Sequence, residues 1–256
     1  MKEKIYITLE DDDVLFEEEE LPAIVPVVIS SGRHGVEGEL YYNVYPEVAA
    51  FIEKNAGQLF EDENLLLLNE IVKPYLDEKG YVREKQGSLR WYHSFAGYDK
   101  RKINTDLVQN TTKKLSPRHI KNETTFDLDE LREFKMPAFV TVIDKTVVSI
   151  ATVNPYSKGQ RMLEITSETA PNYRKNGYAA SNVAALAHYL LRHGHTVAYC
   201  CSRYNRGSVK IARKVGLTHE GRFYAIDAYR KDTMEGWMTD GAGCGNGGGD
   251  HRRTFQ

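Results

Sequence analysis

Residues 172–183 read N-Y-R-K-N-G-Y-A-A-S-N-V, a polar, glycine-bearing turn that leads into an alanine-rich run. The segment before this turn, R-M-L-E-I-T-S-E-T-A-P, has the composition of a strand. The run after it spaces Ala180, Val183, Ala184 and Ala187 three and four positions apart, which predicts a helix with one apolar face. The chain is therefore expected to pass from a strand through a loop into a helix N-terminus.

Such a loop is a candidate anion site. The first-turn amides of a helix have no partner within the helix, and the helix dipole adds partial positive charge. A phosphate or pyrophosphate is therefore expected at the amides of residues 176–180. Arg174 and Lys175 add positive charge, and Gly177 has no side chain to keep the backbone away from the ligand.

The composition excludes several other classes of protein. The 256 residues are 41 % apolar and 27 % charged, enough for one large or two small globular domains. The net charge of -2 gives no general attraction to nucleic acid or anionic lipid. No run approaches the roughly 20 apolar residues of a membrane helix, and the N-terminus lacks a signal-peptide core. A soluble, cytoplasmic protein without nucleic-acid or membrane partners is expected.

The remaining patterns predict alternating strands and helices. Strands are expected at 4–9, 90–95, 138–143, 146–153, 161–169, 195–201 and 217–229. Helices are expected from Pro46, over 64–76 with apolar positions ahead of Pro74, at 127–134, from the loop to Gly194, and at 205–215. The polar stretch 100–122 is interpreted as a linker. These patterns predict an N-terminal α/β domain at 1–115, a second domain at 116–232 and a glycine-rich, disordered tail at 233–256.

Two motifs together resemble the GNAT acyltransferase superfamily. Arg174-x-x-Gly177-x-Ala179 is similar to its [QR]-x-x-G-x-[GA] signature. The segment N-R-G-S-V-K-I-A-R-K-V-G-L, which begins at Asn205, is similar to its second landmark, with Ser208 three residues later. The resemblance covers roughly residues 118–230. The stretch E-I-T-S-E-T-A-P-N-Y-R-K-N-G-Y-A looks like the branch named for zwittermicin A resistance.

The resemblance implies a fold and a co-substrate. The fold would be α/β, with a C-terminal GNAT module built on a mixed, splayed central sheet flanked by helices, and a smaller N-terminal α/β domain that shapes the acceptor site. Acetyl-CoA would bind where two parallel strands diverge, and an amine would attack its thioester directly. The residues that would hold it lie on the strand, the loop and the second helix: Ser167, Thr169, Arg174, Lys175, Asn176, Gly177, Tyr178, Ala179, Ala180, Asn205 and Ser208.

Proton transfer needs further groups. Glu164 and Glu168 are candidate bases for the amine, and the alternative is that each merely pairs with a neighbouring cation. Many family members carry a tyrosine acid seven residues after the asparagine, where this chain has Ala212. Tyr224 and Tyr204 are candidate replacements.

Cysteine and histidine carry little signal. Cys200 and Cys201 are adjacent on a predicted strand, where an acyl-cysteine intermediate is conceivable but a role as small core residues is favoured. His188, His193 and His195 surround a helix end and lack further ligands at metal spacing, so no metal is expected.

Three functions remain open from the sequence. The first is N-acetylation of a primary amine on a small molecule such as an antibiotic or metabolite, by a monomer or homodimer. The acidic residues 10–13 and 17–20 would attract a cationic acceptor, or they form a solvated loop. The second is an acyl-CoA-binding sensor with little catalysis, which Ala212 favours. The third is acetylation of a protein or peptide. The acceptor and the acyl chain length are left undetermined.

Overall fold

The computed structural model describes residues 4–11, 21, 23–33, 35–83, 91–116, 123–124, 126, 136–154 and 161–231. The helix predicted at 127–134, the tail from 233 and most of the acidic run lie outside these residues. The described strands are β1 (Ile5–Glu10), β2 (Ala23–Gly32), β3 (Gly35–Tyr41), β4 (Tyr81–Arg83), β5 (Tyr92–Gly97), β6 (Thr112–Lys114), β7 (Glu123–Thr124), β8 (Ala138–Ile143), β9 (Thr146–Val153), β10 (Met162–Thr169), β11 (Thr196–Ser202) and β12 (Thr218–Arg230). The described α-helices are α1 (Tyr45–Asn55), α2 (Asp62–Glu78), α3 (Tyr178–Arg192) and α4 (Arg206–Val215).

The chain divides into two compact units, each with its own core. Of the described residues, those up to Tyr92 and those from Gly221 onward form the first unit, and His93 to Glu220 form the second. The predicted boundary at 115/116 therefore falls inside the second unit. The predicted second domain also extended to 232, whereas the chain returns to the first unit at Gly221 because most of β12 pairs with β2 there.

The first unit is a mixed sheet with two helices. Its strands are ordered β1-β3-β2-β12, and β4 pairs with the end of β12. The pair β1–β3 is parallel, and β2 runs antiparallel to both β3 and β12. The core joins the sheet to α1 and α2, and Val27, Leu40 and Ile52 are among its fully buried members. Helix α2 includes Pro74, as the predicted pattern at 64–76 does, and it ends at Glu78.

The second unit is a mixed sheet of strands ordered β5-β11-β10-β9-β8-β6, and β7 pairs with β9. Helix α3 packs against β8, β9 and β10, and it buries Val183, Leu186 and Leu190. The stretch 100–116 is part of this unit rather than a linker, because β6 pairs with β8 and Ile103 belongs to the core. The predicted mixed α/β fold, with helices flanking a splayed sheet, is confirmed.

A candidate active site where two parallel strands diverge

The decisive feature of the second unit is the incomplete pairing of β10 with β11. These parallel strands are in register only from Met162 to Glu164, opposite Thr196 to Ala198. Beyond that point β10 continues to Thr169 and β11 continues to Ser202 without further pairing between them. On its other side β10 remains paired with β9 through Thr169. One edge of β10 is therefore released from β11 over its last five residues, which leaves a gap between the two strands.

The loop after β10 opens beside this gap, as the sequence predicts. Gly177 caps helix α3 at φ +82°, in the left-handed region. Lys175 is also left-handed, at φ +68°, although it carries a side chain. The first helical bond is donated by the Ser181 amide to the Gly177 carbonyl at 3.0 Å. The amides of residues 178–180 precede that bond, so the helix itself gives them no acceptor.

Side chains brace the loop from within. Arg174 Nε donates to the Thr169 carbonyl at 3.1 Å, which ties the loop back to the end of β10. Asn176 Nδ2 donates to the Tyr173 carbonyl at 3.1 Å. From the segment before β6, Gln109 Nε2 donates to the Asn176 carbonyl at 3.0 Å. The loop conformation is thus fixed by neighbours that do not use the amides of the first helical turn.

A buried polar network supports the start of α3, and the sequence analysis missed it. Asn182 has no exposed surface, and its Nδ2 donates to Ser149 Oγ on β9 at 3.1 Å. Its Oδ1 accepts from the hydroxyls of Thr112 and Thr141, each at 3.1 Å. Ser149 Oγ in turn lies 2.8 Å from Thr169 Oγ1. The adjacent polar pair Ser-Asn at 181–182, inside an otherwise apolar helix face, was the signal that could have revealed this network.

The second landmark forms the N-terminus of α4. Asn205 Oδ1 accepts from the Ser208 amide at 3.0 Å, so the asparagine is the N-cap of the helix. The amide NH₂ group of Asn205 remains as a donor. Ser208 is half-buried, and it is near enough to Tyr199 to lower the pKa of that phenol. The Tyr199 hydroxyl oxygen lies 3.2 Å from Ser167 Oγ. Tyr199 was not among the predicted site residues.

The two candidate bases share one face of β10. No bulge interrupts β10 opposite β9, so Glu164 and Glu168 point to the same side, while Ser167 and Thr169 point to the other. Glu164 is half-buried, and Asn154 Nδ2 donates to its Oε2 at 3.1 Å. Glu168 is exposed. Glu164 therefore has a fixed carboxylate at the point where the strands begin to diverge.

Of the two tyrosines suggested as acids, neither has a position that supports the role. Tyr224 has no exposed surface and belongs to the core of the first unit, where Asn69 Nδ2 donates to its hydroxyl at 2.8 Å. Burial raises the pKa of Tyr224, and nearby Arg83 partly offsets that rise. A hydroxyl without exposed surface does not face a site that is open to a ligand. Tyr204 is 62 % exposed and stacks under Arg203 instead.

The cysteines occupy ordinary strand positions. Cys201 is buried in the core of the second unit, and Cys200 is half-exposed on β11. Within the described part of the chain, no group of three or more His, Cys, Asp or Glu side chains is placed to hold a metal ion. No helix among the described residues is both long enough and apolar enough to cross a bilayer.

Comparison with known proteins gives the family. A model of GNAT acetyltransferases matches residues 84–226, more than half of the 256 residues. The chain belongs to the GNAT acetyltransferase family. The match begins upstream of the roughly 118–230 that the two motifs suggested, and it includes β5 and β6, which belong to the same unit as the divergent strands. A search of curated proteins gives no match.

Solved structures of GNAT proteins are similar to this chain at low identity. A GCN5-related N-acetyltransferase from Sphaerobacter thermophilus is 11 % identical, with 84 % of each chain covered and a TM-score of 0.45. A GCN5-related N-acetyltransferase-like protein from Streptococcus suis is 17 % identical, with 64 % of this chain and 68 % of that chain covered and a TM-score of 0.42. For a protein from Novosphingobium aromaticivorans described as of the GNAT family, the identity is 13 % and the TM-score 0.43. That match covers 55 % of this chain and spans 64 % of the other.

Proposed function

We propose that this GNAT protein transfers the acetyl group of acetyl-CoA directly to a primary amine on a small molecule. The observation that carries the proposal is the gap between β10 and β11, which opens beside the unpaired first-turn amides of α3. A thioester arm needs strand edges to pair with, and a pyrophosphate needs amides and positive charge. Both requirements are met within one short segment of the chain.

The residues at the gap fit acetyl-CoA. The amides of residues 176–180, with Arg174 and Lys175, would hold the pyrophosphate. The free edge of β10 at Ser167 and Thr169 would pair with the amide groups of the pantetheine arm. Asn205 would add its amide NH₂ group, and Ser208 its hydroxyl. Acetyl-CoA supplies the activated acyl group, and the protein supplies position and proton transfer.

Glu164 is the better-supported base. An amine is mostly protonated at neutral pH, so it must lose a proton before it attacks the thioester. The Glu164 carboxylate is oriented by Asn154 Nδ2 at 3.1 Å, whereas Glu168 is exposed. Replacing Glu164 with Gln keeps the shape and the contact with Asn154 but removes the base, so we expect kcat to fall by roughly 10²-fold or more. Glu168→Gln is the matched control, and a larger loss there would reverse the assignment.

A second function class is supported by Ala212, which stands where many family members have a tyrosine acid. A chain without that acid would serve as an acyl-CoA-binding sensor. Acetylation of a protein or peptide is the third hypothesis and predicts an open groove for the acceptor. The likeness to the zwittermicin A resistance branch, the cytoplasmic location and the monomeric or dimeric state also stay predictions.

One experiment separates these functions. The full chain is titrated with acetyl-CoA, and thiol release is then followed with aminoglycosides, polyamines, amino acids, aminopolyols and a lysine-rich peptide. Saturable binding with turnover on one class of small amine is the expected result. Binding without turnover on any acceptor would favour the sensor, and turnover on the peptide alone would favour protein acetylation. No saturable binding would contradict the proposed site.

A further inference from the structure

Helix α4 carries a buried alanine at the position where many family members have a tyrosine acid. Ala212 has no exposed surface and belongs to the core of the second unit. Ser208 lies four residues earlier, which is one turn along the same face of the helix. A tyrosine at 212 would have projected from this face. The alanine leaves that volume to a neighbouring side chain.

Tyr199 brings a hydroxyl to the same place from the adjacent strand. It is the first residue of β11 beyond the part paired with β10, and it is 3 % exposed. Its hydroxyl oxygen lies 3.2 Å from Ser167 Oγ on β10. Ser208 on α4 is near enough to lower the pKa of this hydroxyl. The hydroxyl therefore lies at the free edge of β10, in contact with Ser167, a residue assigned above to the acetyl-CoA site.

The candidate base lies on the opposite side of the gap. Leu163 pairs with Val197, and both side chains enter the core on the helix side of the sheet. Alternation along the strands puts Ser167 and Tyr199 on that side as well, and it puts Glu164 on the other. A thioester that lies in the gap would thus have a carboxylate on one side and a phenol on the other, as the two proton transfers require.

We propose that Tyr199 is the general acid that protonates the departing CoA thiolate, in place of the tyrosine missing at position 212. The inference rests on the proposed acetyl transfer. The amine nitrogen forms a bond to the thioester carbon, and the carbon–sulfur bond breaks with its electron pair leaving on sulfur. The Tyr199 hydroxyl proton moves to sulfur. The base releases the proton lost by the amine to water, and the phenolate regains a proton from water. The products are an acetamide and free CoA thiol.

The electrostatics keep this hydroxyl in its acid form. Burial raises the pKa of Tyr199 above its ordinary value, and the hydrogen bonds from Ser167 and Ser208 partly offset that rise. The group therefore holds its proton throughout the neutral range. The same two serines would stabilise the phenolate once the proton has left. A phenol is a weak acid, but it needs to act only as the negative charge develops on sulfur.

The alternative is that Tyr199 is a core tyrosine whose hydroxyl is simply satisfied. Two substitutions distinguish the roles. Tyr199→Phe keeps the ring and removes only the hydroxyl. The double substitution Tyr199→Ala with Ala212→Tyr conserves the total core volume and moves the phenol to the family's usual position. Thermal unfolding of each variant confirms that it is folded before its rates are compared.

The decisive readout is the dependence on the leaving group. With acetyl-CoA and the amine that the acceptor panel identifies, Tyr199→Phe should lower kcat by roughly 10²-fold. The affinity for acetyl-CoA should change little. With p-nitrothiophenyl acetate, whose thiol is acidic and needs no proton, the loss in kcat/KM should shrink to about 3-fold or less, because acid catalysis follows Brønsted behaviour. The double variant should recover much of the kcat with acetyl-CoA. A purely structural role would lower both rates equally and would not be rescued.

The outcomes separate this inference from the proposed function. Equal turnover of acetyl-CoA by the wild-type protein and Tyr199→Phe would overturn the role of Tyr199 and leave the acetyltransferase intact. An equal loss with both acyl donors would also overturn it. A wild-type protein that binds acetyl-CoA and turns over no amine would overturn the proposed function, and the role of Tyr199 with it.

Discussion

At the scale of single residues, Gly177 connects backbone conformation with ligand binding. It holds φ +82° at the start of α3, and an added Cβ would lie 3.1 Å from Gln109 Nε2. Gly194, at the other end of the same helix, holds φ +86° with nothing within 4 Å. Alanine at either position carries a similar left-handed penalty of roughly 1–2 kcal/mol. The two glycines therefore form a matched pair, and only the first lies at the proposed pyrophosphate site.

Gly177→Ala should weaken acetyl-CoA binding by roughly tenfold or more, since each 1.4 kcal/mol lost is a factor of ten. Gly194→Ala should lower the melting temperature about as much as Gly177→Ala does, and it should leave acetyl-CoA binding unchanged. Calorimetric titration and thermal unfolding of both variants give the two quantities. Equal loss of binding in both variants would mean that the effect is one of general stability and not of the loop.

A second residue-scale prediction concerns pH. The pKa of Glu39 on β3 is raised to about 8, first by burial and then by hydrogen bonding and charge repulsion from Glu10 on β1. A pKa raised in the folded state means that the stability contribution of Glu39 is complete below the unfolded pKa, about 4.5, and is lost as pH rises through about 8. Glu39→Gln should therefore gain melting temperature over wild type at pH 9 and show little difference at pH 4. Glu37→Gln, an exposed change on the same strand, is the control, and an equal gain there would contradict the assignment.

At the scale of elements, the polar network beneath α3 holds the helix start in place. Asn182 bonds to Thr112, Thr141 and Ser149, and removing it takes the side-chain partner from the buried Thr141 hydroxyl and one of several partners from Thr112 and Ser149. Asn182→Ala should therefore destabilise the protein by about 2–3 kcal/mol. Arg192→Ala, on the exposed side of the same helix, should cost no more than about 0.5 kcal/mol. Urea unfolding measures both, and similar values for the two would show that the network is not stabilising.

Periodicity predicted β8 to β11, α3 and α4 of the second unit because each of these elements has a clear local signature. The apolar stripe of α3, the turn between β8 and β9, and Gly216 at the end of α4 are all properties of neighbouring residues. The stretch 100–116 was misjudged because its structure depends on distant partners. The backbone amide of Gln109 donates to Ser181 Oγ at 2.8 Å, and β6 pairs with β8. No local pattern reports such contacts.

Helix α2 is a second case in which tertiary packing decides. Pro74 has no amide proton and disfavours the preceding turn, yet the predicted helical pattern at 64–76 runs through it. The helix continues to Glu78, and Tyr75 and Leu76 are buried in the core of the first unit. Burial of two large apolar side chains stabilises by several kcal/mol, which offsets a proline cost of about 3 kcal/mol.

At the scale of the whole molecule, the sequence motifs predicted the loop before α3 but not the division of the chain into two units. A motif can predict such a loop because glycine and asparagine are needed there at fixed spacings. The return of β12 to the first unit is set by its pairing with β2, from Gly221 opposite Gly32 to Tyr229 opposite Ala23. Tyr199 was missed for a similar reason, since its role follows from where β10 and β11 part and not from a motif.

We propose that acetyl-CoA binds in the gap between β10 and β11 with its pyrophosphate on the start of α3. Amide hydrogen exchange of the full chain, measured by mass spectrometry with and without acetyl-CoA, tests this binding mode. We expect protection at residues 165–180 and 199–208, and little change in α1 and α2 of the first unit. Protection confined to other segments, or none at saturating acetyl-CoA, would contradict it.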